Sequence, residues 1–309
     1  MRNDKLFKTL EEQVEILKAK GLTINDYEYA KQVLLRENYF FLSGYRHLFF
    51  RDKKDHRFIE GTTFEEVYSM FSFDRSLRNI LFDYILIVEN NIKSIISYQL
   101  SKKYGYKEKD YLDPKNFNQD NLKVRQVNDV LNKMKRQIKG NVYDHTATMH
   151  YANNYGYIPM WIMVKVLSFG IISELYAILK ASDQYEISEI YHLKPDDLSV
   201  YLSILSNFRN LCAHEDILYD HKTKRFIGDT IYHQRLEIPK EDGEYIYGKN
   251  DLFAVIIILK QLLTEEQFRE MFNEICYEID YLEGKIDIIP VQNILSQIGF
   301  PENYRKIME

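Results

Sequence analysis

The stretch TTFEEVYSMFSFDRSLRNILFDYILIVENNIKSIISYQLSKKYG, residues 62–105, holds no Pro and no Gly before its last residue, and apolar side chains recur in it at three- and four-residue spacings. That period belongs to a helix, not to a strand. Thr62 and Thr63, each followed three positions later by a glutamate (Glu65, Glu66), form two overlapping capping boxes at its start. A helix over Phe64 to Tyr104 would be about 60 Å long at about 1.5 Å per residue. That exceeds most single domains, so a kink or break is expected near Phe73-Asp74. The segment is the spine of an all-α protein.

Working outward, Leu6, Leu10, Val14 and Leu17 make the stripe of a first helix that Gly21 ends with a left-handed cap. A second helix is expected over Asp26 to Glu37. Asn38 to Glu60 is less regular, with the run Arg51-Asp52-Lys53-Lys54-Asp55-His56 as a solvated loop, and any strand pair is expected there. Beyond the spine, Asp113-Pro114 marks a turn. Gln119 to Lys139 is expected as a helix ended by Gly140, and Lys123, Arg125, Lys133, Lys135, Arg136 and Lys139 make it the most basic element. From Tyr157 the chain becomes most apolar, with Pro159 near a helix start and Ser168-Phe169-Gly170 dividing two packed pieces.

Pro195, with Asp196 and Asp197 in the first turn, opens a helix that carries Leu198, Leu202, Leu205 and Phe208 toward His214. Residues 215–248 are expected as loop. Helices resume over Asp251 to Leu263 and, after a Thr264/Gln267 capping box, over Glu265 to Glu283, an acidic segment. The expected organisation is N-terminal helices and an irregular segment (1–60), a helical core (61–225), and a loop with a C-terminal helical extension (226–309). No fixed repeat period is visible, which argues against a solenoid.

Composition agrees with an ordered chain: 45% of the 309 residues are hydrophobic, 28% are charged, and there are 12 Gly and 6 Pro. Cys212 and Cys276 form no C-x-x-C pair, so neither a disulfide framework nor a cysteine zinc site is suggested, and a reducing cytoplasm is the expected location. The N-terminus lacks the apolar region of a secretory signal. The longest apolar stretches, Phe253 to Leu259 and Ile158 to Ile172, fall short of the roughly 17 to 25 residues that cross a bilayer, so no membrane association is expected. With a net charge of −5, nucleic-acid affinity has to come from local clusters. The 25 Tyr and 18 Phe are read as helix-packing bulk, the alternative being a stacking surface for unpaired bases.

The Walker A, dinucleotide-binding, H-E-x-x-H and G-x-S-x-G signatures are missing. What remains is Asn207-Phe208-Arg209-Asn210-Leu211-Cys212-Ala213-His214, an Arg and a His with four residues between them on an expected helix. The bare spacing is weak, with about 0.4 chance matches in a chain of this composition, and Arg51 with His56 repeats it in a charged loop. The second copy has context. Steps of three and four residues put Asn207, Asn210 and His214 on one stripe, where Asn210 could orient the imidazole, while Leu205, Phe208, Leu211 and Cys212 anchor the adjacent face. Arg209 lies about 140° around and about 7.5 Å along the axis from His214, so a second copy of the helix across a two-fold axis is the more economical way to complete a site.

An imidazole exchanges protons near neutral pH, and a guanidinium grips phosphate through two parallel hydrogen bonds. Together they suit metal-free cleavage of RNA, whose 2′-hydroxyl is a built-in nucleophile. On spacing alone, the favoured reading is that Arg209 and His214 merely cap the helix or pair with Glu215 and Asp216. His145, His150 and His192 lack partners at ligand spacing, so no metal and no other cofactor is assigned. If RNA is the substrate, the basic helix (Lys123, Lys133, Lys135, Arg136, Lys139) and the cluster Lys222, Lys224 and Arg225 are the backbone track.

Arg209 to His214, followed by Glu215 to Tyr219, resembles the R-N-x-x-A-H signature of the Abi-like abortive-infection proteins of the AbiD/AbiF type. The likeness covers about residues 25 to 225. Asn38 to Tyr45, Phe73-Asp74-Arg75-Ser76-Leu77-Arg78, Glu89, Tyr111 to Pro114, Pro159-Met160-Trp161 and Leu167 to Gly170 follow in the family's order. Such proteins are similar to HEPN domains, helical bundles that often dimerise and pair two R-x(4-6)-H motifs as a metal-independent ribonuclease. The resemblance therefore implies a HEPN-like bundle, a homodimer, RNA as partner, an antitoxin in some systems, and a role in phage defence. Arg209 would bind and polarise the scissile phosphate, His214 would transfer protons, and Asn210 would help position it. Glu215 departs from many relatives, where a second His follows. The alternative is a non-catalytic RNA- or protein-binding module, such as a regulator associated with a noncoding RNA.

Overall fold

The computed structural model describes residues 6–52, 56–141 and 145–309, without the side chains of Phe41 and Asn141. Helix Phe64–Tyr104 is unbroken over its 41 residues. Of the two capping boxes only one forms. The Thr63 hydroxyl accepts the Glu66 N–H at 3.2 Å and the Glu66 carboxylate accepts the Thr63 N–H at 2.9 Å. Thr62 is buried and donates its hydroxyl to the Ile59 carbonyl instead. The expected interruption at Phe73-Asp74 does not occur. Aspartate disfavours helix interiors because its side chain competes for nearby backbone groups. The Asp74 carboxylate is instead taken by Tyr45, by the Leu218 N–H and by Arg78 one turn on.

Around this axis lie helices Leu10–Ala19 and Tyr27–Glu37, the short helix Tyr39–Ser43, and then Val124–Asn141, Thr146–Tyr155, Met160–Val166, Phe169–Ile178, Ala181–Ser188, Pro195–Ala213, Leu252–Leu262, Glu265–Glu283 and Val291–Gln297. The all-α class is thus observed. Met160–Val166, Phe169–Ile178, Pro195–Ala213, Leu252–Leu262 and Glu265–Glu283 all pack on the long helix, and one hydrophobic cluster runs from Val14 to Ile307. Among the described residues, no helix is long and apolar enough to cross a membrane.

Several boundaries differ from expectation, each for a local reason. Thr9 caps the first helix, which leaves Leu6 outside it and 77% exposed. Its far end is as expected: Gly21 (φ +92°) donates to the Lys18 carbonyl while Leu22 donates to that of Leu17, a left-handed helix stop. The basic helix starts at Val124 and not at Gln119, because Asn118 and Asp120 take the Asp120 and Leu122 N–H groups into turns. It also passes through Gly140 to Asn141. The expected strand pair exists, Phe50–Asp52 with Arg57–Phe58. Arg51 and Asp52 therefore lie in a strand, and Lys53 to Asp55 fall outside the described residues. A second hairpin, Lys240–Glu241 with Glu244–Tyr245, occupies part of the expected loop over 215–248, as does the short helix Ile231–Arg235.

Candidate functional site

Helix Pro195–Ala213 carries the Arg/His motif, with Pro195 at its first turn and His214 as its last, capping residue. Leu198, Leu202, Leu205, Phe208 and Leu211 are buried and fix its rotation. Asn207, Asn210 and His214 consequently face solvent, and Arg209 is half-buried. The helix stops as the first one does: Glu215 donates to the Cys212 carbonyl at 3.2 Å and Asp216 to the Leu211 carbonyl at 3.1 Å. Glu215 holds the left-handed position that usually belongs to glycine, with φ +56°. Its unusual place in the motif thus has a backbone consequence.

The turn after the motif is pinned to the long helix. The Asp216 carbonyl accepts from Arg78 at 3.3 Å, and Asp74 accepts the Leu218 N–H at 3.1 Å. Tyr45 completes the node by donating to Asp74 at 2.7 Å and accepting from Arg78 at 3.1 Å. Asp74 and Arg78 are almost fully buried. Three of the sequence blocks singled out above, around Tyr45, Phe73 to Arg78 and Tyr219, therefore meet at one point. Nothing but the i, i+4 spacing of Asp74 and Arg78 announced it.

Arg209 is held from a second place on the long helix. Its Nε donates to Glu89 at 3.3 Å and its guanidinium lies 5.6 Å from the centre of the Phe82 ring. Glu89 is buried and also receives Lys93 at 2.6 Å. With Nε committed, the two terminal nitrogens of Arg209 make no hydrogen bond among the described residues. Burial pushes the Cys212 thiol up to about 12, so it stays protonated at neutral pH and supplies no nucleophile.

The structure does not gather all the expected residues. Asn210 meets His214 through its backbone carbonyl, which accepts the His214 N–H at 3.0 Å, and not through its amide side chain. Arg209 and His214 make no contact with each other. Lys222, Lys224 and Arg225 are exposed and directly follow His221, which the sequence reading passed over. The His221 Nε2 lies 2.6 Å from the Asn207 Oδ1, its ring meets Phe208 edge-on, and burial holds its pKa below the ordinary value. These three basic residues therefore run beside the motif helix. Lys123 lies just before the basic helix and is half-buried; on the helix, Lys133 is occupied by Glu174 at 2.6 Å, and Lys135, Arg136 and Lys139 are exposed. Among the described residues, no group of three or more His, Cys, Asp or Glu is placed to hold a metal ion.

A helical protein in which one long helix carries both the carboxylate that orients an arginine and the ion pair that pins the turn after a histidine is a specific arrangement. Residues 32–220 match the model of the Abi-like protein family, and the chain belongs to that family. The match takes in Tyr45, Asp74, Arg78, Glu89 and the motif helix, and ends immediately before His221. Comparisons with curated proteins and with solved structures found no match.

Proposed function

We propose that this protein is a metal-independent endoribonuclease of phage defence, an AbiD/AbiF-type protein with a HEPN-like site made by Arg209, Asn210 and His214 and completed by a second copy of the chain. The observation that carries the reading is the Arg209 guanidinium, braced on buried Glu89 with its terminal nitrogens open, five residues before a solvent-facing imidazole on one rigid helix. Membership of the Abi-like family supports the defence role.

In the cleavage, the RNA 2′-oxygen bonds to phosphorus and the bond to the 5′-oxygen breaks. A base takes the 2′-proton and an acid returns one to the 5′-oxygen. His214 serves proton transfer, and Arg209 clamps the phosphate as negative charge builds on it. Because Arg209 and His214 of one chain do not converge, antiparallel approach of two motif helices brings each arginine toward the other chain's histidine. Lys222, Lys224 and Arg225, and the exposed Lys135, Arg136 and Lys139, hold the strand by its phosphates.

The test incubates the purified protein with labelled RNA in EDTA beside His214→Ala and Arg209→Ala. Cleavage by the wild type and a loss of at least about a hundredfold in each variant is expected. Cleavage that survives both substitutions overturns the site. Salt-dependent RNA binding without cleavage of any RNA favours a non-catalytic module instead.

A further inference from the structure

Most of the tyrosines are packing residues, but one group is not. Where the long helix ends, Tyr106 follows Gly105; Tyr155 and Tyr157 flank the end of helix Thr146–Tyr155; and Trp161 lies in the first turn of Met160–Val166. Tyr155 is 57% exposed, Trp161 43% and Tyr106 39%. Their rings form a continuous run. Tyr151 to Tyr155 is 5.3 Å between centroids, Tyr155 to Tyr157 6.4 Å, Tyr157 to Tyr106 5.8 Å and Tyr106 to Trp161 5.4 Å.

A surface of this kind costs hydration, and here it is held in place by backbone contacts. The Met160 N–H donates to the Tyr106 carbonyl at 3.0 Å, and buried Tyr111 donates its hydroxyl to the Ile158 carbonyl at 2.8 Å. Glu108 accepts the Ile158 N–H at 2.5 Å. The rings thus stand on three elements locked to one another. Glu108 is spent on that lock and Asp110 accepts the Lys107 N–H, whereas Lys107 lies 4.6 Å over the Tyr157 ring and Lys165 is exposed one turn beyond Trp161. Aromatic faces edged by cations complement a polyanion that also offers flat, apolar faces.

We propose that Tyr106, Tyr155, Tyr157 and Trp161 form a stacking platform for the unpaired bases of a single-stranded nucleic acid, with Lys107 and Lys165 on its phosphates. The ring steps of 5.4 to 6.4 Å among these four exceed the ~3.4 Å rise of a duplex strand, so the run suits an extended strand with separated bases. The platform rests on its own geometry; that its strand is RNA rests on the ribonuclease reading.

Trp161 is the one tryptophan of the chain, so its fluorescence reports on the platform alone. The wild-type protein is titrated with 2′-O-methyl oligouridylate, which lacks the nucleophilic hydroxyl and cannot be cleaved by its attack. Equal-length abasic phosphodiester and the duplex serve as comparisons. Saturable quenching by the single strand is expected, with affinity about tenfold lower in Tyr155→Ala and in Tyr106→Ala, whose exposed rings leave the fold intact. Unchanged fluorescence, or equal quenching by the abasic chain, overturns the platform, as does quenching unaffected by both substitutions. Quenching by a protein that cleaves no RNA removes the ribonuclease reading and leaves the platform standing; cleavage without quenching removes the platform alone.

Discussion

At the scale of residues, the site is set by two carboxylates on one helix that do different work. Glu89 orients a side chain, whereas Asp74 fixes a backbone turn. Asp74→Ala leaves Arg78 buried with its charge unpaired, and a loss of about 3–5 kcal/mol is expected, measured as a lowered urea midpoint. Replacing both, Asp74→Leu with Arg78→Met, should recover part of that loss; a double variant no more stable than the single one would show that the pair is not the cause. Glu215 belongs at the same scale. Its left-handed backbone (φ +56°) favours glycine, so Glu215→Gly is expected to gain up to about 1 kcal/mol in thermal or urea unfolding while leaving Arg209 in place. A loss of stability would mean that the Glu215 side chain contributes more than the strain costs.

At the scale of elements, helix Leu252–Leu262 has the most unusual start. Buried Asp251 caps it, accepting the Ala254 N–H at 3.0 Å and the Gly248 N–H at 3.0 and 3.1 Å. Burial outweighs these bonds and raises its pKa from 3.8 to about 6. The folded state therefore binds this proton more tightly than the unfolded chain does. Its contribution is fully present below pH 3.8 and is lost as the pH rises to about 6. The loss is about 3 kcal/mol at about 1.36 kcal/mol per pK unit. Asp251→Asn keeps an acceptor and carries no charge, so this slope should vanish from urea unfolding measured across that range. An unaltered slope would assign it to other groups.

Elements were legible in the sequence where a single local signal stood alone. Pro195 with two aspartates and Thr264 with Gln267 each opened a helix as expected, and the division expected at Ser168-Phe169-Gly170 falls at Leu167-Ser168, with Ser168 capping the second piece. The missed hairpin also carried its signal: Asp242 (φ +50°) and Gly243 (φ +87°) are the two left-handed residues of a tight turn, and an Asp-Gly pair asks for one. Gln119 failed as a helix start because two short polar side chains upstream of Val124 found closer backbone partners. The motif itself was legible, but its bracing was not. Glu89 and Arg209 are 120 positions apart, and helical periodicity carries no information across that distance.

At the scale of the whole molecule, the long helix is the common wall on which the motif helix, the apolar helices Met160–Val166, Phe169–Ile178 and Leu252–Leu262, and the acidic helix Glu265–Glu283 are mounted. Solvent-facing Asn207, Asn210 and His214 leave one face of the motif helix open to a second copy. Gel filtration with light scattering is expected to give a dimer, and a strict monomer, with or without RNA, would make the shared site untenable.

The first turn of that wall is closed from far away. Glu66, besides its cap, accepts the Asp287 N–H at 3.0 Å and the Ile288 N–H at 2.9 Å, contacts that close 221 and 222 positions of chain. Residues 287 and 288 are synthesised more than two hundred positions after Glu66, so the first turn of the wall stays unsealed until that length of chain has followed it. The motif helix, complete some seventy residues earlier, is therefore made before the long helix on which it packs receives its last clamp.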